Sequence, residues 1–338
     1  MNGKNFAITG VAGYIAPRHL KAIKETGNNL IAAVDPHDSV GVLDQYFPDC
    51  AFFTEIERFD RHLEMLKRKG EGIDYLTICS PNHLHDAHIR LALRLGANAI
   101  CEKPLVLNPW NLDALSQLEQ ESGKKVYTIL QLRVHPALID LKKKLDIQCQ
   151  KSSIQYPASK IKHQVELTYI TSRGLWYKYS WKGDPHKSGG VATNIGIHFF
   201  DLLIWLFGKV KNSEVHISTE SKMSGFIELE QANLSGETLV QTDVKWFLSI
   251  DRNDLPKEII EKGKLTFRSI KIDNEEVEFT DGFTDLHNKV YEKTLTGAGF
   301  RIEVARPSVE LVYNIRNEKI TGKPSVIHPF AHKILGLK

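Results

Sequence analysis

The stretch Asn5–Ile23, NFAITGVAGYIAPRHLKAI, decides the fold. A short apolar run ends at Gly10, Gly13 follows in a G-x-x-G turn, and Ala16 takes the third small position. Small residues here let the backbone approach a pyrophosphate, and the helix that follows aims its free N–H groups at it. Pro17 suits a first helical turn, where its missing donor costs nothing. Taken alone, G-x-x-G also describes a plain strand-to-helix turn. Context favours dinucleotide binding, because the next apolar run, NLIAAVD, ends on Asp35. A carboxylate at the end of a second strand accepts both ribose hydroxyls and repels a 2′-phosphate, which points to NAD(H) over NADP(H). Ala12, Tyr14 and Ile15 in the loop, and Pro36 after the acid, are the adjoining cofactor-contacting candidates.

Outward from this unit the alternation continues. IDYLTICSP, ANAICEKP and KVYTILQL are strand-like, and EIERFDRHLEMLKRK, HLHDAHIRLALRLG and NPWNLDALSQLEQESG are amphipathic. Continuous apolar strands alternating with helices predict βαβ units and a doubly wound parallel sheet over residues 1–135. The character changes after Pro136. HQVELTYIT, EVHISTE, GFIELEQANLSGETLVQTDVKWFLSI and KLTFRSIKI alternate, with ANLSGETL read as a turn. One strong helix lies in GGVATNIGIHFFDLLIWLFG, and EVARPSVELVYNIRNEKITG is a final amphipathic segment. Residues 136–338 are therefore predicted to be an α+β domain with a large, mostly antiparallel open sheet, its C-terminal segment packing back on the first domain.

Length and composition agree. A chain of 338 residues, 42% hydrophobic and 25% charged, is expected to form two globular domains. Four scattered cysteines, Cys50, Cys79, Cys101 and Cys149, argue against a disulfide framework or a zinc site and suit a reducing cytoplasm. The N-terminus lacks the pattern of a signal peptide. The longest apolar run, FFDLLIWLFG, is short for a bilayer and is interrupted by Asp201, so no membrane partner is expected. A net charge of +3 is too mild for nucleic acid and does not repel a small acidic substrate.

In an open doubly wound sheet, ligands collect beyond the carboxyl ends of the strands. Two such ends carry unusual residues. In ICSPNHLHDAHI, Ser80, Pro81 and Asn82 signal a turn, with Asn82 a candidate cap. His83, His85 and His88 invite a metal reading, but no clustered carboxylate completes a ligand set, so no metal is expected. His85 is expected near the cofactor or in helix–sheet packing. In ANAICEKPLVL, Lys103 is stiffened by Pro104, and Glu102 can keep its ammonium protonated or help hold the cofactor. Asn194 and His198 stand at i and i+4 of the strong helix and so share a face, with Asp201 three residues further on.

GVAGYIA, CSPNHLH and CEKPL together resemble the Gfo/Idh/MocA oxidoreductases, a likeness that covers nearly the whole chain. The resemblance implies an N-terminal Rossmann domain and NAD as cofactor. It implies contacts from Gly10, Ala12, Gly13, Tyr14, Ile15, Asp35, Pro36, Ser80, Pro81, Asn82, His85, Glu102, Lys103 and Gln131. It places Lys103 beside the nicotinamide and substrate hydroxyl, often before a cis proline. Family members carry D-x-x-x-H on the later helix, with the histidine as acid/base; here Asn194 replaces the aspartate, and His198 keeps its place. An imidazole titrates near pH ~6.5 and can take a proton at neutrality, which makes His198 the first choice of base and Lys103 the group that stabilises the alkoxide. The two roles are open to exchange.

Ahead of that helix, Arg173, Trp176, Tyr177, Ser180, Trp181, Lys182 and Lys187 crowd together. Mixed aromatics and cations suit a sugar nucleotide with phosphates and a carboxylate. This stretch and QLRVHP (131–136) resemble the family's UDP-N-acetylglucosaminuronate 3-dehydrogenases of O-antigen sugar biosynthesis. That resemblance implies oxidation of the C3 hydroxyl, recycling of NADH by 2-oxoglutarate, and a homo-oligomer, a tetramer favoured. Tyr177, Lys182, Asn194, His198 and Lys103 are then substrate-contacting candidates, and Arg173, Arg301 and Arg306 are candidates for the anionic groups. A free-sugar or inositol dehydrogenase is the alternative of the same class. A non-catalytic dinucleotide-sensing regulator is the alternative of another class.

Overall fold

The computed structural model describes residues 3–155, 161–232, 238–277, 279, 285–322, 324 and 326–336. The chain divides into two units, Met1–His135 with Gly282–Val309, and Pro136–Asp281 with Glu310–Lys338. The turn expected in ANLSGETL falls largely on 233–237, outside the described residues.

The first unit is built on β1 (Asn5–Thr9), β2 (Asn29–Val34), β3 (Ala51–Phe53), β4 (Tyr75–Ile78), β5 (Asn98–Cys101) and β6 (Val126–Thr128). They form an all-parallel sheet in the order β3-β2-β1-β4-β5-β6. Such strands are covered on both faces, which is why they read as unbroken apolar runs. The order reverses between β1 and β4, so the switch-point crevice opens at their carboxyl ends. Helices α1 (Ala16–Glu25), α2 (Val42–Tyr46), α3 (Ile56–Arg68), α4 (His85–Leu95) and α5 (Pro109–Ser122) link the strands. Pro17 and Pro109 lie in first turns, and α4 and α5 stop on left-handed Gly96 and Gly123.

The second unit opens with α6 (Pro136–Gln155) and carries β7 (Ile161–Thr171), β8 (Lys209–Ser218), β9 (Lys222–Ala232), β10 (Thr238–Ser249), β11 (Thr266–Ile272) and β12 (Glu275–Glu276). Their order is β12-β11-β7-β10-β9-β8. All neighbours are antiparallel except β7 and β10, which run parallel from Ile161↔Val240 to Ile170↔Ser249. Short helices α7 (Trp176–Tyr179) and α8 (Pro185–Ser188) precede a π-helical turn, Ala192–Gly196, which runs into α9 (Ile197–Phe207). Helix α10 (Lys257–Glu261) follows β10. Trp246 packs edge-on against Phe200 of α9, their ring centroids 5.3 Å apart.

The opposite sheet face is polar along much of its length. Lys162 and Gln164 each bond Asp243 at 3.0 Å, and Lys211 bonds Glu228 at 2.8 Å. The stretch Pro185–Phe207 is long and apolar enough, by length and composition alone, to cross a bilayer. The helical segments follow one another closely and so lengthen the apolar stretch beyond FFDLLIWLFG. Of its most apolar window, 78% is buried inside the protein, as in a core helix.

After the second unit the chain returns to the first with α11 (Leu286–Leu295) and the start of α12 (Ile302–Asn317). Leu286, Val290, Tyr291 and Phe300 join Phe6, Ile8, Leu20 and Ile23 in one core. Thr128 N–H donates to Phe300 O at 2.8 Å and Tyr127 bridges Arg301, so this returning strap covers the edge strand β6. Helix α13 (Pro329–Ile334) packs Phe330 and Ala331 near Phe247 and Ile170 of the second unit.

Candidate active site

In the first unit the candidates gather at the carboxyl ends of β1, β2, β4 and β5. Gly10 has φ +78°, and a Cβ on it would lie 2.6 Å from the backbone of Cys79 and Ser80. Only glycine fits there. Gly13 N–H donates to Gly10 O at 3.1 Å, and Ala16 N–H to Gly13 O at 3.1 Å, which winds the loop into α1. Asp35 accepts from Ala12 N–H at 3.0 Å through Oδ2 and from His37 N–H at 2.9 Å through Oδ1. Its carboxylate thus sits beside the phosphate loop, as adenosine-ribose recognition requires. Tyr14 is 85% exposed, Ile15 caps α1, and Pro36 is exposed.

After β4, Pro81 and Asn82 lead into a 3₁₀ turn, Asn82–Leu84, and α4 starts with Leu84 at its cap. Asn82 is therefore a buried turn residue and not the cap of α4, because the 3₁₀ turn is inserted between them. His88 Nδ1 lies 2.8 Å from Ser80 Oγ, and burial pushes its pKa down to about 4. His85 lies wholly inside, Nδ1 2.6 Å from Pro104 O and Nε2 2.9 Å from Ser80 O. Burial lowers its pKa against the pull of those two carbonyls. Its ring ties the turn after β4 to the segment after β5.

At the end of β5 the Lys103–Pro104 bond is cis. Lys103 N–H donates to Glu102 Oε2 at 3.2 Å, and Lys103 itself is half-buried. Glu102 is buried, and its Oε1 lies 3.0 Å from His19 Nε2 and 3.2 Å from His287 Nε2. Burial pushes this carboxyl up, but the hydrogen bonds from His19 and His287 outweigh it and hold the group well below the usual range. Gln131 opens a 3₁₀ turn after β6, and its Oε1 is buried with no partner among the described residues. The glycine cradle, the placed Asp35 and this unsatisfied acceptor fit a dinucleotide at the crevice.

In the second unit, Asn194 and His198 are the two residues of 191–200 that are not buried. They share an accessible face, as the spacing predicts, but across a π turn and not along a plain α-helix. Such turns occur frequently at functional sites. Asp201 does not share that face: it is 2% exposed, turned into the core. Asn194 Nδ2 donates to Tyr177 Oη at 2.7 Å. Lys182 Nζ lies 5.4 Å from the Trp176 ring centre and 5.5 Å from that of Trp181. Burial, then the neighbouring Arg173 charge, lower the Lys182 pKa, while burial raises that of Tyr177. Arg173, Tyr177, Lys182 and Asn194 thus form one cluster, as the crowded sequence suggests.

Arg301 and Arg306 have carboxylate partners within the first unit. Arg301 Nη2 bonds Glu119 at 2.8 and 2.9 Å and stacks over Tyr127; Arg306 Nη2 bonds Asp113 at 2.7 Å. The expectation that they bind substrate anions is corrected on physical grounds for Arg301, since its partner Glu119 is only 4% exposed and depends on it. His19, His287 and Tyr291 are absent from the sequence reading. They lie 83 to 272 positions from the groups they touch, and nothing local marks them.

Residues 4–130 match the oxidoreductase family with an NAD-binding Rossmann fold, and residues 161–243 match its C-terminal alpha/beta domain. The chain belongs to the Gfo/Idh/MocA family. It is an NAD-dependent oxidoreductase with a Rossmann first unit. Within this family, it is similar to the WlbA (WbpB) dehydrogenase of Thermus thermophilus in complex with NAD and alpha-ketoglutarate. Identity is 51%, covering 97% of this chain and 99% of that one, with a TM-score of 0.87. The same dehydrogenase in complex with NAD and UDP-GlcNAcA is 50% identical over the same shares, also at a TM-score of 0.87. Oxidoreductase P35 of Formosa agariphila is 25% identical over 243 residues, 72% of this chain and 70% of the relative.

Proposed function

We propose that this Gfo/Idh/MocA protein oxidises the C3 hydroxyl of UDP-N-acetyl-D-glucosaminuronate to the ketone. The observation that carries this reading is the 50% identity, over 97% of the chain, to a dehydrogenase solved with NAD and that nucleotide sugar. NAD, when bound, supplies the hydride acceptor. The chain's own part is proton handling, orientation and charge. His198 takes the hydroxyl proton, and Asn194, braced by Tyr177, keeps its imidazole and the sugar oriented. Lys103 donates a hydrogen bond to the developing alkoxide. Arg173 and Lys182 meet the diphosphate and carboxylate, with Trp176 and Trp181 as flat packing surfaces.

The same reading places the protein in the cytoplasm as a homo-oligomer, a tetramer favoured, in lipopolysaccharide O-antigen sugar synthesis. There an aminating step consumes the ketone, and 2-oxoglutarate reoxidises the cofactor. Initial rates of NADH formation on UDP-N-acetylglucosaminuronate, myo-inositol and glucose test it. Turnover on the nucleotide sugar alone is expected. Activity confined to the unactivated sugars rejects the substrate, and NAD binding without any turnover favours a regulator.

A further inference from the structure

Around Glu102 runs a buried chain of polar groups that the proposed chemistry does not use. Thr77 Oγ1 lies 2.9 Å from Tyr291 Oη, which lies 2.9 Å from His19 Nδ1. His19 Nε2 and His287 Nε2 both reach Glu102 Oε1. The proton positions follow from donor capacity. An ionised Glu102 only accepts, so both Nε2 atoms carry hydrogen. Burial pulls the His19 pKa down against the Glu102 bond, which leaves its ring neutral, and Nδ1 then accepts from Tyr291 O–H. Every donor in the chain therefore points toward one carboxylate: Thr77 to Tyr291, Tyr291 to His19, and His19 with His287 to Glu102. The other oxygen, Oε2, takes the Lys103 amide.

We propose that His19, His287 and Tyr291 are positioning residues, a buried donor relay that fixes Glu102 as a permanent carboxylate and thereby keeps the adjacent Lys103 an ammonium. The inference rests on the reading of Lys103 as an active-site group. It assigns Lys103 the donor role and leaves the base role to His198. A fixed negative charge in a dry setting is screened little, and it raises the pKa of a cation beside it. The other groups facing this carboxylate and its partners are Cys79 and Cys101, whose thiols burial pushes well up, together with His85, Arg18 and Lys103 itself. None of the others competes as an anion.

Competitive acetylation of the full-length enzyme without NAD, read at the Lys103 peptide across pH, reports the amine's titration without any substrate. Glu102→Gln is expected to lower its midpoint by about one pH unit or more, a roughly tenfold rise in free amine at a given pH. An unchanged midpoint overturns the charge assignment. The relay is tested by infrared spectroscopy on two full-length variants. His287→Leu is expected to show a protonated-carboxyl band at neutral pH, absent from the wild type and from His287→Gln, which restores an N–H donor. No band in His287→Leu overturns the relay. Because neither readout uses the nucleotide sugar, failure on that substrate leaves this result standing, and the reverse also holds.

Discussion

The proposed chemistry turns on Lys103 and His198, and on that proposal the two respond to substitution differently. His198→Ala removes the proton acceptor, for which general-base catalysis contributes roughly a hundredfold to ten-thousandfold in rate. Lys103→Ala removes one donor to a developing oxyanion, worth about a hundredfold to a thousandfold. Both variants are expected to lose turnover in steady-state NADH assays while isothermal titration still records NAD binding. Retained turnover in both defeats the assignment. The signals that mark these two residues are local: a lysine before proline at a strand end, and a histidine four residues after an amide. Those of Glu102's partners are not. His287 lies 185 positions from Glu102, and only folding brings the two together.

At the scale of elements, Arg301 offers the sharpest test, because geometry and the sequence reading disagree about it. It joins the returning strap to α5 and β6 through Glu119, which also accepts from Val126 N–H at 2.5 Å. Breaking a buried pair by removing one partner costs about 3–5 kcal/mol. Arg301→Ala is therefore expected to lower the midpoint of urea unfolding strongly and to leave the substrate KM within about threefold. A large rise in KM at unchanged stability would return Arg301 to the substrate. Unbroken apolar runs reveal β1, β2, β4 and β5, which are covered on both faces, and helical spacing of apolar residues reveals α3–α5. These patterns miss β3, only three residues long, and α6, whose apolar stripe is weak. The parallel pairing of β7 with β10 is also hidden, since alternation sets which face is buried and not which neighbour is bonded. The π turn at Ala192–Gly196, whose bonds run from i to i+5, has no residue signature that helical spacing would register.

Across the whole molecule, both units hold histidines whose pKa is depressed, foremost by burial: His19 and His85 in the first, with His88 there pushed down to about 4, and His328 in the second pushed down to about 3. The tautomer of His328 is fixed, since Nδ1 accepts from Phe330 N–H at 3.2 Å and Nε2 faces Thr168 Oγ1 at 3.1 Å. A folded pKa below the unfolded value of ~6.5 means that the native state binds fewer protons. Stability is then complete above that pH and declines as pH falls toward 4, by up to about 1.4 kcal/mol per pH unit for each such group. Urea unfolding at pH 7.5, 6 and 5 is expected to show this loss, and a flat response refutes it. The discontinuous first unit has a further consequence for the order in which the protein is made. Residues 1–135 leave the ribosome long before α11, so the nascent Rossmann sheet waits for some 150 later residues before Tyr291 and His287 can close over Glu102. The lysine is synthesised early, but its electrostatic support arrives almost last, and a chain cut short after the second sheet would carry the EKP motif without the surroundings that give it a defined charge.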